Sequence, residues 1–191
     1  MRSYNRHYLG VAVFFLFCFQ LLAIDTAQAN PRYAAIVIDV ESGDVLHSAN
    51  ADATRYPASL TKMMTLYLLF EALESGNMHL SQPLPVSSHA ASMPASKLWL
   101  AAGSSIAVED AIKALVVRSA NDVAVVVAEA LGGTESGFAR MMTQRAQELG
   151  MTSTVFRNAS GLPDNAQVTT ARDMATLSIR VMQDFPQYYH Y

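Results

Sequence analysis

A serine and a lysine stand three residues apart in the segment from Tyr56 to Thr65, YPASLTKMMT, where a long apolar stretch begins. Residues three apart on a helix share a face, so Ser59 and Lys62 are predicted to point the same way, one turn apart. A serine hydroxyl becomes a nucleophile when a neighbouring base takes its proton, and lysine can be that base where apolar surroundings lower its pKa. The pair therefore predicts a nucleophile, Ser59, and its base, Lys62.

A purely structural interpretation of both residues is also open. Ser59 could cap the helix that follows, while Lys62 could extend its ammonium group to water. A second polar cluster, Ser119-Ala-Asn-Asp122, opens another apolar helix. Its members could again be caps, or Ser119 and Asn121 could point into a cleft beside Ser59. Asp122 is interpreted as a charge that favours the first turn of this helix.

Two strands and then a series of helices are predicted to position these clusters. Residues 33–40 and 45–50 flank the turn ESGD and form an antiparallel hairpin whose first strand is buried. Segments 77–107 and 156–167 are predicted to be irregular. A two-stranded hairpin leaves an edge and a face uncovered, and no later segment favours a strand, so we expect the chain to stop before its sheet is complete. Helices are predicted over residues 58–75, 108–117, 119–131, 134–149 and 170–184, the last with a capping box at Thr170 and Asp173.

A Ser-x-x-Lys motif followed sixty residues later by Ser-x-Asn resembles the signature of the penicillin-binding proteins, which are serine acyltransferases. More narrowly, the chain from Arg32 onwards resembles a low-molecular-weight D-alanyl-D-alanine carboxypeptidase, above all in the segment AQELGMTSTVFRNASGLPDNAQVTTARDMA. The resemblance implies an α+β fold of the β-lactamase and penicillin-binding transpeptidase type, with an N-terminal hairpin and a helical subdomain. Residues 30–191 would then be an incomplete serine acyltransferase domain, and the rest of the antiparallel sheet would be missing from this chain.

The chain departs from the family pattern in two places. The middle residue of the second motif is Ala120, which should be tolerated because only the outer positions need to reach the cleft. The third family motif, K-T-G, is absent, since Lys62, Lys97 and Lys113 precede Met, Leu and Ala. In the family this motif lies on a later strand and binds the substrate carboxylate. An inactive truncated form of the same fold is therefore an open alternative.

The resemblance also implies a role for each motif residue. Ser59 would attack the penultimate D-alanine of a peptidoglycan stem peptide, with Lys62 as its base and its own backbone N–H as part of the oxyanion hole. Ser119 would relay a proton to the leaving D-alanine, and Asn121 would help to bind the substrate amide. β-Lactam antibiotics would acylate Ser59, and no cofactor is implied. A class A-type β-lactamase is the other alternative, but it needs a glutamate in the loop after the second motif, and residues 152–167 contain none.

The first 29 residues have the pattern of a secretory signal peptide. Arg2 and Arg6 precede an apolar run from Leu9 to Ile24, and Ala27-Gln-Ala29 supplies the small residues of a cleavage site before Asn30. We therefore expect an exported protein, in the periplasm or on the outer face of the cytoplasmic membrane. An uncleaved membrane anchor is the alternative. Any C-terminal anchor would have to lie outside these residues.

Composition argues against several other classes of protein. The single cysteine, Cys18, lies in the signal peptide, so the mature chain is expected to have no disulfide. Removing the signal peptide changes the formal net charge from −3 to −4, and no basic run remains to bind nucleic acid. The single tryptophan, Trp99, is predicted to pack inside the protein rather than to line the cleft. No metal site is expected, because four histidines lack the spacing of metal ligands: His47, His79, His89 and His190.

Overall fold

The computed structural model of the protein describes residue 30 and residues 32–191, so the expected signal peptide and Cys18 lie outside the described residues. The chain divides into two compact units, Met1–Tyr33 and Ala34–Tyr191, and the second unit contains every element described below. Among the described helices, none is both long enough and apolar enough to cross a membrane.

The second unit begins with an antiparallel hairpin of two strands, β1 (Ala35–Ile38) and β2 (Val45–Ala49). The Asp39 carboxylate closes its turn by accepting hydrogen bonds, each of 2.9 Å, from two amides of the turn itself. The predicted hairpin is confirmed, but the predicted burial of its first strand is wrong. Within residues 32–191 no third strand pairs with either edge, so water reaches both strands, and Leu46 is 66% exposed.

The helix predicted from residue 58 forms in two parts. A 3₁₀ turn at Ala58–Leu60 leads directly into α1 (Thr61–Glu74). The helix ends before Gly76, whose φ of 72° is a left-handed conformation that glycine adopts without strain. Apolar side chains lie on nearly every side of α1, as is typical of a helix at the centre of a core, and Met64 is completely buried.

Segment 77–107, which is predicted to be irregular, contains two short strands and a helix. β3 (Pro83–Pro85) pairs antiparallel with β4 (Ser105–Ala107), and α2 (Ser88–Ser92) lies between them in the sequence. The prediction is wrong because it took the two prolines as turn signals. Proline is also tolerated in an edge strand, at positions where its missing N–H would not be paired. Leu84 between them is buried and joins β3 to the core.

Four more α-helices follow in the sequence: α3 (Val108–Lys113), α4 (Asn121–Gly132), α5 (Glu135–Glu148) and α6 (Ala171–Asp184). The side chains of residues 123–128 in α4 are completely buried, and α4 packs against both α1 and α5. Helix α6 packs against α1 and β1. The core therefore centres on α1 and α4, whose N-terminal ends carry the two predicted motifs.

The predicted capping box of α6 forms only in part. Thr170 Oγ1 accepts a hydrogen bond of 3.0 Å from the amide of Asp173, as predicted. The Asp173 carboxylate, however, accepts hydrogen bonds from the amide of Ser153 at 3.0 Å and from the hydroxyl of Thr154 at 2.6 Å. Asp173 thus joins α6 to the segment that precedes the 156–167 loop instead of completing the box.

Candidate active site

Ser59 lies exposed in the 3₁₀ turn that immediately precedes α1. The residue before it, Ala58, has a φ of 47°, a left-handed conformation that costs a residue with a β-carbon about 1–2 kcal/mol. Such strain persists only where the surrounding structure holds it, and it is frequent at functional sites. The turn is closed by the amide of Thr61, which donates hydrogen bonds to the carbonyls of Ala58 and Ser59.

Lys62 is buried, with only 3% of its surface exposed. Its Nζ donates hydrogen bonds to Asn121 Oδ1 at 2.9 Å and to the carbonyl oxygen of Ser160 at 2.6 Å. The interpretation that Lys62 extends to water is therefore wrong. Burial disfavours the charged form and lowers the pKa of Lys62 from 10.5 to about 8. At pH 7 about one molecule in ten then has a neutral Lys62 amine, against about three in ten thousand for an unperturbed lysine.

The two hydrogen bonds of Lys62 leave one position on its nitrogen atom. A neutral amine has two N–H groups and one lone pair, and Asn121 and Ser160 can accept both N–H groups. The lone pair can then take a proton without breaking either bond, because the resulting ammonium group has three donors. Ser59 precedes Lys62 by about one helical turn, so its hydroxyl is the candidate donor of that proton.

The helix predicted over residues 108–117 changes into a π-helical turn at Ala114–Arg118. Ser119 and Asn121 come after this turn. Ser119 is half-buried with a φ of 51°, and α4 begins only at Asn121. The N-terminal cap of α4 is Ala120, which has no side-chain oxygen, so the capping interpretation of Ser119 and Asn121 is wrong. The Asn121 side chain contacts Lys62 instead, which brings the two predicted motifs together.

The loop of residues 94–100 is fixed to the start of α4 by hydrogen bonds. The backbone amide of Asn121 donates to the Ser96 carbonyl at 2.7 Å, and its Nδ2 donates to the Pro94 carbonyl at 3.0 Å. The fully buried carboxylate of Asp122 accepts hydrogen bonds from the amides on either side of Trp99, at 3.0 and 3.2 Å. The interpretation of Asp122 as a first-turn charge was therefore incomplete, because this carboxylate also sets the path of the loop.

Trp99 extends into solvent and is 75% exposed. The predicted packing role is wrong because the amides before and after Trp99 both bind Asp122, so the residue between them projects outwards with a φ of 63°. The Nζ of Lys97 lies 4.4 Å from the centre of the Trp99 ring, within the range of a cation–π contact.

The turn of residues 158–161, Asn-Ala-Ser-Gly, contacts the candidate site, although sequence reasoning assigned it no role. Its Ser160 carbonyl binds Lys62, and its Ala159 carbonyl accepts a hydrogen bond of 2.8 Å from Thr65 Oγ1. The Asn158 side chain closes the turn by accepting the amide of Gly161 at 2.7 Å. An asparagine followed three residues later by glycine is typical of a turn closed in this way, so a local signal was present in the sequence.

Within residues 32–191, no group of three or more His, Cys, Asp or Glu side chains could hold a metal ion. His89 Nε2 lies 3.0 Å from Glu135 Oε2 in a pair at the surface. The other oxygen of Glu135 accepts the amide of Ala159 at 3.1 Å, so this pair supports the 158–161 turn.

Solved penicillin-binding proteins share the α+β arrangement described above, and this chain has part of their fold. The structure of the D-alanyl-D-alanine carboxypeptidase DacD from Francisella tularensis matches with a TM-score of 0.80 at 35% identity, over 90% of this chain and 43% of that one. Penicillin-binding protein D2 from Listeria monocytogenes, solved in its ampicillin-bound form, matches with a TM-score of 0.72 at 32% identity, over 81% of this chain and 63% of that one. The fold class implied by the sequence motifs is thus confirmed.

Residues 24–191 match the Peptidase S11 family model, described as D-alanyl-D-alanine carboxypeptidase, and the chain belongs to this family. The D-alanyl-D-alanine carboxypeptidase DacF of Bacillus subtilis strain 168 is 35% identical over 155 residues. That match covers 81% of this chain and 40% of DacF, so the chain spans less than half the length of this relative.

Proposed function

We propose that the protein is a serine-type D-alanyl-D-alanine carboxypeptidase that removes the terminal D-alanine from peptidoglycan stem peptides. The observation that supports this proposal most strongly is the buried Lys62 amine, whose pKa is lowered to about 8 one helical turn after the exposed Ser59. Membership of the Peptidase S11 family supports the choice of substrate.

The proposed reaction has two stages. Ser59 Oγ attacks the carbonyl carbon of the penultimate D-alanine while its proton passes to Lys62 Nζ. The C–N bond then breaks, and the terminal D-alanine leaves as an amine that receives a proton through Ser119. Water hydrolyses the resulting ester and regenerates the Ser59 hydroxyl. The backbone N–H of Ser59 stabilises the oxyanion of the tetrahedral intermediates.

Asn121 can take part in both base positioning and substrate binding. Its Oδ1 accepts from Lys62, and one hydrogen of its Nδ2 is donated to the Pro94 carbonyl. A carboxamide nitrogen has a second hydrogen, which we assign to the substrate carbonyl. Replacing Asn121 is therefore expected to affect both the binding of substrate and the pKa of Lys62.

The same site is proposed to react with β-lactam antibiotics, which would acylate Ser59 and leave slowly. The Listeria relative of similar fold was solved in an ampicillin-bound form, which supports this proposal. We further propose that residues 1–29 direct export, so that the enzyme meets peptidoglycan in the periplasm or on the outer face of the cytoplasmic membrane.

Release of free D-alanine from a synthetic peptide that ends in D-Ala-D-Ala tests the proposed function. The protein as encoded by its gene is expected to release D-alanine, and Ser59→Ala is expected to abolish the release. A peptide ending in L-Ala-L-Ala is the matched substrate control. Absence of D-alanine release from the folded protein would contradict the proposal, and fast hydrolysis of nitrocefin would favour a β-lactamase instead.

A further inference from the structure

The turn of residues 158–161 touches both groups of the proposed acylation site. On one side, Lys62 Nζ donates a hydrogen bond of 2.6 Å to the Ser160 carbonyl oxygen. On the other side, Gly161 lies against the 3₁₀ turn: a β-carbon at Gly161 would overlap the Ala58 carbonyl oxygen and come within 3.0 Å of the Ser59 amide nitrogen. A single turn therefore contacts the backbone of the nucleophile and the side chain of its base.

Two left-handed backbone conformations meet where Gly161 approaches Ala58. Gly161 has a φ of 87°, and Ala58 has a φ of 47°. The close approach is what distinguishes Gly161 from Gly150, which has almost the same φ of 86° but no atom within 4 Å of an added β-carbon. Glycine is favoured at both positions by its conformation, but only at Gly161 is a side chain also excluded by contact.

The turn is tied to the helix that carries Lys62. Thr65 Oγ1 donates to the Ala159 carbonyl at 2.8 Å, one turn of α1 beyond Lys62. Within the turn, Asn158 Oδ1 accepts the Gly161 amide at 2.7 Å, and Asn158 Nδ2 donates to the Leu162 carbonyl at 2.9 Å. These bonds hold the turn in one conformation against α1, so a change at Gly161 must displace the Ala58–Ser59 peptide.

We propose that Gly161 is a positioning residue, through which the 158–161 turn sets the position of Ser59 relative to Lys62 and directs the Ser59 amide at the oxyanion. This inference rests on the proposed function. Displacement of a reacting group by about 1 Å can cost about a hundredfold in rate. A methyl group at Gly161 that overlaps the Ala58 carbonyl requires a displacement of this order.

The test compares Gly161→Ala with Gly150→Ala in the reaction of the protein with a fluorescent penicillin. Both variants place alanine at the same unfavourable φ, so they share the backbone cost, and only Gly161→Ala introduces the overlap. Stopped-flow measurements give the acylation rate constant at saturating penicillin and the concentration for half-saturation. We expect Gly161→Ala to lower the rate constant about a hundredfold with half-saturation changed less than threefold, whereas Gly150→Ala changes neither.

The outcomes separate the positioning role from the proposed function. A Gly161→Ala protein that is folded by circular dichroism and acylates within threefold of the wild-type rate would overturn the positioning role alone. A wild-type protein that is not acylated would overturn the proposed function itself. If Gly161→Ala does not fold, Asn158→Ala is tested in its place. This substitution removes the hydrogen bond to the Gly161 amide and should lower the rate constant about tenfold. An unchanged rate constant would overturn the proposal.

Discussion

The pH dependence of Ser59 acylation follows from the lowered pKa of Lys62. Because only the neutral amine can accept the Ser59 proton, the rate should follow the neutral fraction of Lys62, which rises with pH up to the pKa of about 8. The neutral fraction is about 1% at pH 6, 10% at pH 7 and 50% at pH 8. The rate constant for acylation is therefore expected to increase about fiftyfold from pH 6 to pH 8 and at most about twofold above pH 8.

A matched pair of substitutions isolates Lys62 from other titrating groups. Lys62→Arg keeps the positive charge but cannot be deprotonated near neutral pH, so we expect acylation at pH 8 to fall by about two to four orders of magnitude. Lys113→Arg is the control, because Lys113 is exposed in an ion pair with Glu109 at 2.8 Å. The assay is stopped-flow acylation by a fluorescent penicillin at constant ionic strength, corrected for spontaneous hydrolysis. A rate that stays constant from pH 6 to pH 9, or a fully active Lys62→Arg protein, would refute the assignment of Lys62 as the base.

Three substitutions and one control, Asp110→Asn, test the framework around the site by urea unfolding. Asp122→Asn should lower the free energy of unfolding by about 2–3 kcal/mol, because a buried carboxylate that accepts several amides is lost, whereas the exposed Asp110→Asn should change it by less than about 1 kcal/mol. A loss at Asp122 no larger than that at Asp110 would contradict this account of the 94–100 loop. Thr170→Ala should cost about 1 kcal/mol by removing the cap of α6, and a stabilised or unchanged protein would argue against that cap. Trp99→Ala should change the free energy of unfolding by less than about 0.5 kcal/mol because the ring is mostly exposed, and a large loss would restore the packing role.

The chemistry proposed for Ser59 and Lys62 could be inferred from local spacing, because the two residues are three positions apart, with Ser59 in the 3₁₀ turn and Lys62 in the helix that follows it directly. The contact between Lys62 and Asn121 joins residues 59 positions apart and depends on how α1 packs against α4. Residue spacing along one helix cannot indicate such a contact. Before the structure, the only indication that Lys62 and Asn121 lie in one site was the resemblance of their two motifs to those of a known family.

The wrong predictions come from places where neighbouring elements override a local preference. Pro83 and Pro85 are turn signals, but they fit an edge strand because β4 supplies its pairing partner. Serine is a residue type that favours helix caps, but the π-helical turn that precedes Ser119 leaves this residue with a φ of 51°, outside α4. Tryptophan is a residue type that favours the core, but the amides on either side of Trp99 donate hydrogen bonds to Asp122 and thereby direct the ring outwards.

The central claim is that Ser59 is the nucleophile, and the most direct test is to locate the covalent adduct. The protein is incubated with benzylpenicillin, quenched in acid, digested and examined by tandem mass spectrometry. We predict one penicillin adduct per chain, on Ser59, and no adduct in the Ser59→Ala protein. An adduct on Ser119 or Ser160, or no adduct on the folded protein, would contradict the claim.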